Sequence, residues 1–263
     1  MITSHQNGLI KQVRRLRQRK YRRKEGLFFV EGLHVVLTAV EQRAPIQTLL
    51  YAPDLLTSPA AYDMLAQQQA VGIRCEAITA ELFASLSERD NPTGLGAIVR
   101  WEETPLSQFS PTAESIYIAL HEIADPGNLG TILRTADALG LAGIILIGNT
   151  TEPTHPAAVK ASMGTLFTTP LTAVADFETF WQWTDTHHLH SVATTAHAPT
   201  PCWSATYPRP LVVLMGSEKF GLPPEALNTA VQTVSIPMHG HASSLNLSIA
   251  SAMILYEATR PPA

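Results

Sequence analysis

The stretch DPGNLGTILRTADALG, residues 125–140, has the form of a glycine-rich turn that runs into a helix. Gly127 and Gly130 permit tight backbone geometry there. The stretch has neither the Gly-Lys-Ser/Thr ending of a P-loop nor the three spaced glycines of a dinucleotide fingerprint. A nucleoside triphosphatase and a dinucleotide-dependent dehydrogenase are therefore disfavoured, and the turn has to be interpreted from the sequence around it.

Short apolar runs rich in β-branched residues surround this stretch and alternate with helical segments. The runs are residues 116–120, 143–148, 190–196, 211–216 and 233–238. The helical segments are residues 128–139, about 155–163, 176–187, 223–231 and a C-terminal stretch in which Leu245, Ile249, Ala252, Met253 and Tyr256 share one face. Such runs suit strands buried on both faces of a parallel sheet. The alternation predicts an α/β fold with helices covering a parallel sheet.

The N-terminal part has a different character. Residues 27–100 alternate between strand-like and helix-like pieces and predict a small α/β domain, whereas residues 101–115 are polar, contain two prolines and are typical of a linker. Residues 1–24 hold nine of the 18 basic residues and no acidic one, so the rest of the chain has a net charge of −13. We therefore predict four parts: a basic segment (1–24), a small α/β domain (25–100), a linker (101–115) and a second α/β domain (116–263).

Composition limits the classes of protein. The chain has 263 residues, of which 45% are hydrophobic and 15% charged, as in soluble globular proteins. No run approaches ~18 consecutive apolar residues, so we expect no membrane span. Cys75 and Cys202 are too few for a disulfide framework or a zinc site, and a reducing, cytoplasmic compartment is expected. A basic segment on an acidic body indicates a polyanionic partner, with nucleic acid ahead of a solvated tail or an organellar transit peptide.

Three polar loops follow predicted strands. DPGNLG closely follows residues 116–120, GSEKFGLP follows residues 211–216, and MHGHASSLN follows residues 233–238. Ligands of open parallel sheets bind beyond the carboxyl ends of the strands. The three loops therefore predict one binding site at one edge of the sheet.

The first loop offers Asn128 and Arg134, and each has two interpretations. Asn128 lies near the helix start, where it either caps the helix or meets a ligand. Arg134 is expected on a mostly buried helix and then needs an anion. Asp137, three residues later, supplies one in the structural interpretation, and a nucleic-acid phosphate supplies it in the functional one.

The other two loops offer a carboxylate and several small polar side chains. Glu218, flanked by glycines, is either a turn former or a working carboxylate. Ser243 or Ser244 is readily explained as a helix cap. Asn246, just inside the helix, is not explained by helix propensity.

In this order and spacing, the loops resemble the SpoU family of RNA 2′-O-ribose methyltransferases, which belong to the knotted α/β methyltransferases that use S-adenosylmethionine. The family's three motifs are matched by DPGNLGTILRTADALG, LMGSEKFGLP and IPMHGHASSLNLSIASAMILYE, and KASMGTLFTTP (160–170) is also similar. This resemblance covers about residues 115–260. The segment RKYRRKEGLFFVEG resembles the RNA-binding domain that precedes the catalytic domain in ribosomal-RNA members, including the thiostrepton-resistance branch.

The resemblance implies a deep trefoil knot in the C-terminal domain, a homodimer formed through that domain, and methyl transfer to a ribose 2′-hydroxyl, most specifically of 23S ribosomal RNA. It implies that S-adenosylmethionine is converted to S-adenosylhomocysteine without a metal. The residues matching the catalytic positions are Asn128, Arg134, Glu218, Ser244 and Asn246. Those expected at the cofactor are Thr195, Gly216, Ile236, Met238 and Leu245. The basic residues expected to contact RNA are Arg14, Arg15, Arg17, Arg19, Lys20, Arg22, Arg23 and Lys24.

Two alternatives stay open at this point. The substrate is transfer RNA instead of ribosomal RNA, or the chain is a non-catalytic RNA-binding protein with the same fold. The histidines of HHLH (187–190) lie at a predicted helix–strand junction without a further ligand pattern, which disfavours a metal site. Deletion of residues 1–24 is expected to weaken RNA binding and to leave S-adenosylmethionine binding intact.

Overall fold

Two β-sheets organise the chain, one in each of two units. The computed structural model describes residues 1–260. The first unit consists of Met1–Glu102 and Thr154–Thr168, and the second of Glu103–Pro153 and the residues from Thr169 onward. The predicted boundaries differ from this division in one respect, because residues 154–168 join the first unit. Within residues 1–260, every helix is too short or too polar to cross a lipid bilayer.

The first unit is a four-stranded sheet with helices around it. Its elements are α1 (Gly8–Leu16), α2 (Arg19–Glu25), β1 (Leu27–Glu31), α3 (Leu33–Glu41), β2 (Ile46–Tyr51), α4 (Pro59–Ala70), β3 (Arg74–Ala77), α5 (Ala80–Leu86), β4 (Leu95–Arg100) and, later in the chain, α7 (Pro156–Ser162). The strand order is β1-β4-β2-β3, with β4 antiparallel to both neighbours and β2 parallel to β3. Helix α7 packs on β1, and the Phe28 ring stacks with the Phe167 ring at 6.2 Å.

The basic N-terminal segment is folded. Apolar side chains recur on one face of α1, and that face lies in the core with Phe83 and other side chains. The buried residues of α1 are Leu9, Ile10, Val13 and Leu16. Ile2 pairs with Ile78 beside β3, so the first residues are tied to the sheet as well. The segment is therefore part of the first unit, and a solvated tail is not what the structure has.

The second unit is a six-stranded sheet in which every pair of neighbours is parallel. Its elements are β5 (Ile116–His121), α6 (Pro126–Ala138), β6 (Gly143–Ile147), β7 (Leu171–Val174), α8 (Phe177–Thr186), β8 (His190–Thr194), β9 (Leu211–Met215), α9 (Pro224–Thr229), β10 (Gln232–Val234) and α10 (Leu247–Thr259). The strand order is β10-β8-β9-β5-β6-β7. The central strands β6 and β9 are buried throughout, as their continuous apolar sequences predict.

Three predictions for this unit needed correction. Strand β7 was not expected, because four residues after a proline give little periodic signal. Strand β10 ends at Val234 and does not reach residue 238, because Ser235 bonds to the backbone of Thr200 and Cys202 and Pro237 has no N–H to donate. On α10, the face with Ile249, Met253 and Tyr256 is exposed, and the opposite face is the buried one.

Candidate active site

Four neighbouring strands of the second unit end at one edge of its sheet. Because β10, β8, β9 and β5 are all parallel, their carboxyl ends lie side by side. The loop after β5 leads into α6, the loop after β9 contains Glu218, and the stretch after β10 leads into α10. The edge predicted from the three polar loops is therefore the edge where they lie.

The loop after β9 has a tight, closed backbone. Ser217 and Gly221 exchange two backbone hydrogen bonds of 3.2 and 3.0 Å. A Cβ atom on Gly216 would lie 2.0 Å from the carbonyl carbon of Gly221, a distance no side chain tolerates. Glycine at position 216 is thus required for the loop to fold back on the end of the strand.

The carboxylate of Glu218 joins this loop to the start of α6. Its Oε2 accepts the Ala124 N–H at 3.2 Å, and its Oε1 accepts the Asp125 N–H at 3.3 Å. Oε1 also accepts a hydrogen bond from the Asn128 side chain at 3.0 Å. Glu218 is therefore a carboxylate that organises the first loop as well as its own.

The amide of Asn128 continues this network to the third loop. Its Oδ1 accepts a hydrogen bond of 2.9 Å from the Asn246 side chain, while its Nδ2 donates to Glu218. Asn128 is 8% exposed, so its amide is held in one orientation. Three loops from three places in the sequence are thus joined through Glu218, Asn128 and Asn246.

The helix caps are not the residues that the sequence suggested. Asp125 is the N-cap of α6, and its Oδ1 accepts the Asn128 N–H at 2.8 Å. Asn246 is the N-cap of α10, and its Oδ1 accepts the Ser248 N–H at 2.9 Å and the Ser248 hydroxyl at 2.6 Å. Asn128 and Ser244 are therefore not caps. The Asp-Pro pair at 125–126 was the signal for the first cap, because Pro is favoured at the first helical position.

The environment of Glu218 favours its ionised form. Partial burial raises the pKa of this carboxyl, but hydrogen bonds from the Asn128 side chain and from three backbone N–H groups outweigh burial. The pKa of Glu218 therefore lies below its ordinary value. At neutral pH, Glu218 acts as an anion that accepts hydrogen bonds and does not serve as an acid.

This shift has a consequence for stability. A carboxyl whose pKa is lower in the folded state stabilises the fold above its unfolded pKa of about 4.3, and that contribution disappears as the pH falls through the folded pKa. We expect Glu218→Gln to lower the Tm at pH 7, and the difference from wild type to shrink as the pH falls below about 4.3. Thermal unfolding followed by circular dichroism between pH 3 and 8 measures both. A difference that stays constant over this range would contradict the role of the charge.

Arg134 and Ser244 are not part of the hydrogen-bonded network. Arg134 is exposed, which corrects the expectation of a mostly buried arginine, and within residues 1–260 it forms no hydrogen bond or ion pair. It follows Asn128 by six residues, about 240° around the helix, so the two side chains leave α6 in different directions. Ser244 is also exposed and forms no hydrogen bond with the described residues.

The residues assigned to the cofactor lie along the same edge. Thr195 directly follows β8, Gly216 directly follows β9, and Ile236 comes two residues after β10. Thr195 and Ile236 are half-buried, while Met238 is 38% exposed.

The chain between β10 and α10 has an unusual backbone. From residue 236 to residue 245, no backbone N–H or carbonyl forms a hydrogen bond with another residue of the described chain. The polar backbone groups of this stretch are available to a ligand, and the side chains of Ile236, Met238 and Leu245 supply apolar surface beside them. Within residues 1–260, His, Cys, Asp and Glu side chains form no group of three that could hold a metal ion.

The basic residues of the first unit differ in what they do. Arg22 is only 4% exposed and donates to the carbonyls of Leu16 at 3.0 Å and Arg17 at 2.7 Å, so it closes the end of α1. Arg17 donates to the Leu86 carbonyl at 2.9 Å, at the end of α5. Because its side chain is buried, Arg22 has to be removed from the predicted RNA-contacting set. The exposed members are Arg15, Arg17, Arg19, Lys20, Arg23 and Lys24, and Arg14 is half-buried.

Comparison with known proteins gives a consistent result. The model of the SpoU rRNA methylase family matches residues 115–256, and that of the MRM3-like substrate binding domain matches residues 7–97. An uncharacterised tRNA/rRNA methyltransferase of Synechocystis is 32% identical, over 98% of this chain and 93% of its own. A 23S rRNA (uridine(2479)-2′-O)-methyltransferase of Streptomyces viridochromogenes is 31% identical, over 93% of this chain and 86% of its own.

A solved structure is also similar throughout. The AdoMet-bound rRNA methyltransferase from Sinorhizobium meliloti is 36% identical, with a TM-score of 0.90, and the match covers 98% of this chain and 96% of that one. The similarity includes both units and is not restricted to the parallel sheet.

Proposed function

Since the chain belongs to the SpoU rRNA methylase family, we propose that it transfers a methyl group from S-adenosylmethionine to a ribose 2′-hydroxyl of 23S ribosomal RNA. The observation that carries this proposal is the network of Glu218, Asn128 and Asn246, which unites the three loops that match the family's motifs. A protein that only bound RNA would not need three buried or half-buried polar side chains held in one geometry at a sheet edge.

The reaction requires alignment more than it requires a metal. When bound, S-adenosylmethionine supplies a methyl group on a positively charged sulfur. The bond from that methyl to sulfur breaks as a bond to the ribose 2′-oxygen forms, and the hydroxyl proton is lost. Alignment of the reacting groups can supply about 7–11 kcal/mol of the barrier. In this chain the amides of Asn128 and Asn246 provide orienting groups, because their orientations are fixed by Glu218 and by the start of α10.

The cofactor fits the stretch between β10 and α10. Its adenine requires hydrogen-bond donors and acceptors together with apolar contact, and residues 236–245 offer unpaired backbone groups beside Ile236, Met238 and Leu245. Thr195 and Gly216 lie at the ends of the adjoining strands. We assign these five residues to the cofactor.

Arg134 is proposed to hold the phosphate next to the target ribose. A free guanidinium has a pKa above about 12, so Arg134 is a cation and not a ready base. Its charge favours the negative charge that develops on the ribose oxygen, and its exposed side chain is accessible to RNA. Ser244 is likewise exposed, and its hydroxyl is assigned to the ribose or the adjoining RNA backbone.

RNA is proposed to lie along the basic helices of the first unit. The exposed cations of α1 and α2 form a surface without acidic side chains between residues 1 and 24. Such a surface attracts phosphates irrespective of sequence. It positions the RNA, while the loops of the second unit carry out the chemistry.

A homodimer is proposed to form through the exposed face of α10. Ile249 is 54% exposed, Met253 42% and Tyr256 66%, and their spacing places them on one stripe of the helix. A continuous apolar stripe that faces solvent in one copy of a chain indicates a protein contact. We expect a second copy to cover it.

The dimer proposal gives a direct test. Met253→Glu is expected to halve the molar mass measured by light scattering after gel filtration, because it places a charge in the centre of the apolar contact. Val231→Glu is the matched control, since Val231 is 67% exposed and lies outside α10. A wild-type monomer, or a Met253→Glu variant that stays dimeric, contradicts the assignment.

A trefoil knot and a cytoplasmic location complete the proposal. The knot is supported by the path of the chain, which leaves the edge strand β10 and returns to pack α10 against α6, against β9 and against the turn Cys202–Ser204. The cytoplasmic location is supported by the free thiols of Cys75 and Cys202.

The proposed substrate is tested by tritiated methyl transfer. Deproteinised, unmodified 23S ribosomal RNA is expected to accept the label, and transfer RNA is not. Label on transfer RNA alone would replace the substrate and keep the reaction. No label on either RNA, together with no S-adenosylmethionine binding in calorimetry at millimolar concentration, would favour the non-catalytic alternative.

A further inference from the structure

Phe220 is the most exposed aromatic side chain of the second unit that the structure describes. Its exposed fraction is 78%. A single exposed apolar residue needs no explanation by itself, because much of any protein surface is apolar. The position of Phe220 is what gives it meaning, since it comes two residues after Glu218, on the loop that closes over the end of β9.

The loop presents Phe220 in a fixed position. The Phe220 N–H donates to the Ser217 hydroxyl at 3.2 Å, within the turn that the Ser217–Gly221 hydrogen bonds close. On one side of Phe220, Glu218 is held by the start of α6, and on the other side Leu222 is 6% exposed and anchored in the core. A large side chain is thus held away from the protein by a loop that is itself tightly bonded.

A cation lies directly beside the ring. The Lys219 Nζ is 4.8 Å from the centroid of the Phe220 ring. A flat aromatic face next to a positive charge matches a nucleotide, whose base offers a π surface and whose phosphate offers a negative charge. RNA-binding proteins recognise unpaired bases by stacking them on aromatic side chains in this way.

We propose that Phe220 is a stacking platform for an unpaired base at the methylation site, either the base of the methylated nucleotide or that of its immediate neighbour. This inference rests on the proposed function and adds a requirement to it. A base stacked on Phe220 cannot also stack within a helix, so the RNA has to be single-stranded where it is methylated. Lys219 contacts the adjoining phosphate.

Phe220→Ala tests the platform, because the side chain is exposed and its removal leaves the core and the loop hydrogen bonds in place. Stacking contributes ~1–3 kcal/mol per base, so the KM for unmodified 23S ribosomal RNA is expected to rise about 5- to 100-fold. Phe220→Leu keeps the apolar bulk without the aromatic ring and is expected to resemble Phe220→Ala. Phe220→Trp is expected to restore the wild-type KM. Tyr62→Ala, an exposed aromatic of the first unit, is the matched control.

A second measurement detects stacking without methyl transfer. An RNA oligonucleotide carries 2-aminopurine at the mapped methylation site or at the adjoining nucleotide, because the fluorescence of this base is quenched when it stacks. The wild type is expected to quench a single-stranded oligonucleotide, whereas Phe220→Ala binds it without quenching. The same sequence in a duplex is expected to be methylated poorly.

Several outcomes overturn the inference. They are an unchanged KM in Phe220→Ala, full rescue by leucine, and efficient methylation within a duplex. A changed S-adenosylmethionine affinity in calorimetry would place Phe220 at the cofactor, and a changed molar mass would place it at a partner copy. If the wild type methylates no RNA, the proposed function fails. If the wild type is active and Phe220→Ala equals it, only the platform fails.

Discussion

Arg134→Ala is expected to lower kcat by about 10²–10³-fold while the Kd for S-adenosylmethionine stays unchanged. The reduction has the size seen when one group that stabilises a developing negative charge is removed. The cofactor affinity is unaffected because Arg134 is exposed on α6, whereas the stretch assigned to the cofactor lies between β10 and α10. Single-turnover rates with 23S ribosomal RNA and calorimetry with the cofactor measure the two quantities separately.

Two further variants define what Arg134 does. Arg134→Lys is expected to stay well below wild type, because a lysine cannot hold a phosphate with two parallel hydrogen bonds. Arg209→Ala is the matched control, since it removes an arginine of the same unit that pairs with Glu114 at 3.0 Å. Near-normal turnover of Arg134→Ala would remove Arg134 from the mechanism. Recovery of most of the rate by lysine would show that a point charge suffices.

Deletion of residues 1–24 is expected to unfold the first unit. It removes Leu9, Ile10, Val13 and Leu16 from the core, and burial of four such side chains contributes roughly 6–12 kcal/mol. That amount is comparable with the whole stability of a typical domain, about 5–15 kcal/mol. Loss of the corresponding unfolding transition in calorimetry checks the expectation. This replaces the prediction from the sequence, in which the segment was an arm that could be removed without cost to the fold.

The charge of the segment is tested without deleting it. Lys20 and Lys24 are exposed, so the double variant Lys20→Gln/Lys24→Gln is expected to keep the Tm of the wild type. If both contact phosphates, the slope of log K for RNA against log salt falls by about 1.4–1.8 in magnitude. A deletion variant that keeps its Tm, or a double variant with an unchanged slope, contradicts the division of roles within the segment.

The sequence predicted the parallel sheet well because its strands are buried on both faces. Runs such as residues 143–148 and 211–216 are apolar throughout, and this signal is local. The reach of β10 was less accessible, because it depends on Ser235 pairing with Thr200 and Cys202, which lie over 30 residues away along the chain. The exposed stripe of α10 could not be separated from a core-facing stripe, since periodicity shows that a face is apolar and not what covers it.

The candidate site was predicted in part. The resemblance identified Glu218, Asn128 and Asn246, and the structure adds how they are joined. It also exchanges roles that single residues cannot reveal, with Asp125 in place of Asn128 as the cap of α6 and Asn246 in place of a serine as the cap of α10. The burial of Arg22 was hidden because a basic run looks uniform in sequence, whereas the turn between α1 and α2 directs one arginine inward onto backbone carbonyls.

The central claim is that this chain methylates a ribose oxygen and not a base. Mass spectrometry of nucleosides from 23S ribosomal RNA, after incubation with the protein and deuterium-labelled S-adenosylmethionine, tests it most directly. We expect one labelled nucleoside whose methyl group stays with the ribose fragment when the glycosidic bond is broken, and no such product with Arg134→Ala. A label that stays with the base fragment, or no labelled nucleoside with wild-type protein that binds the cofactor, would contradict the account.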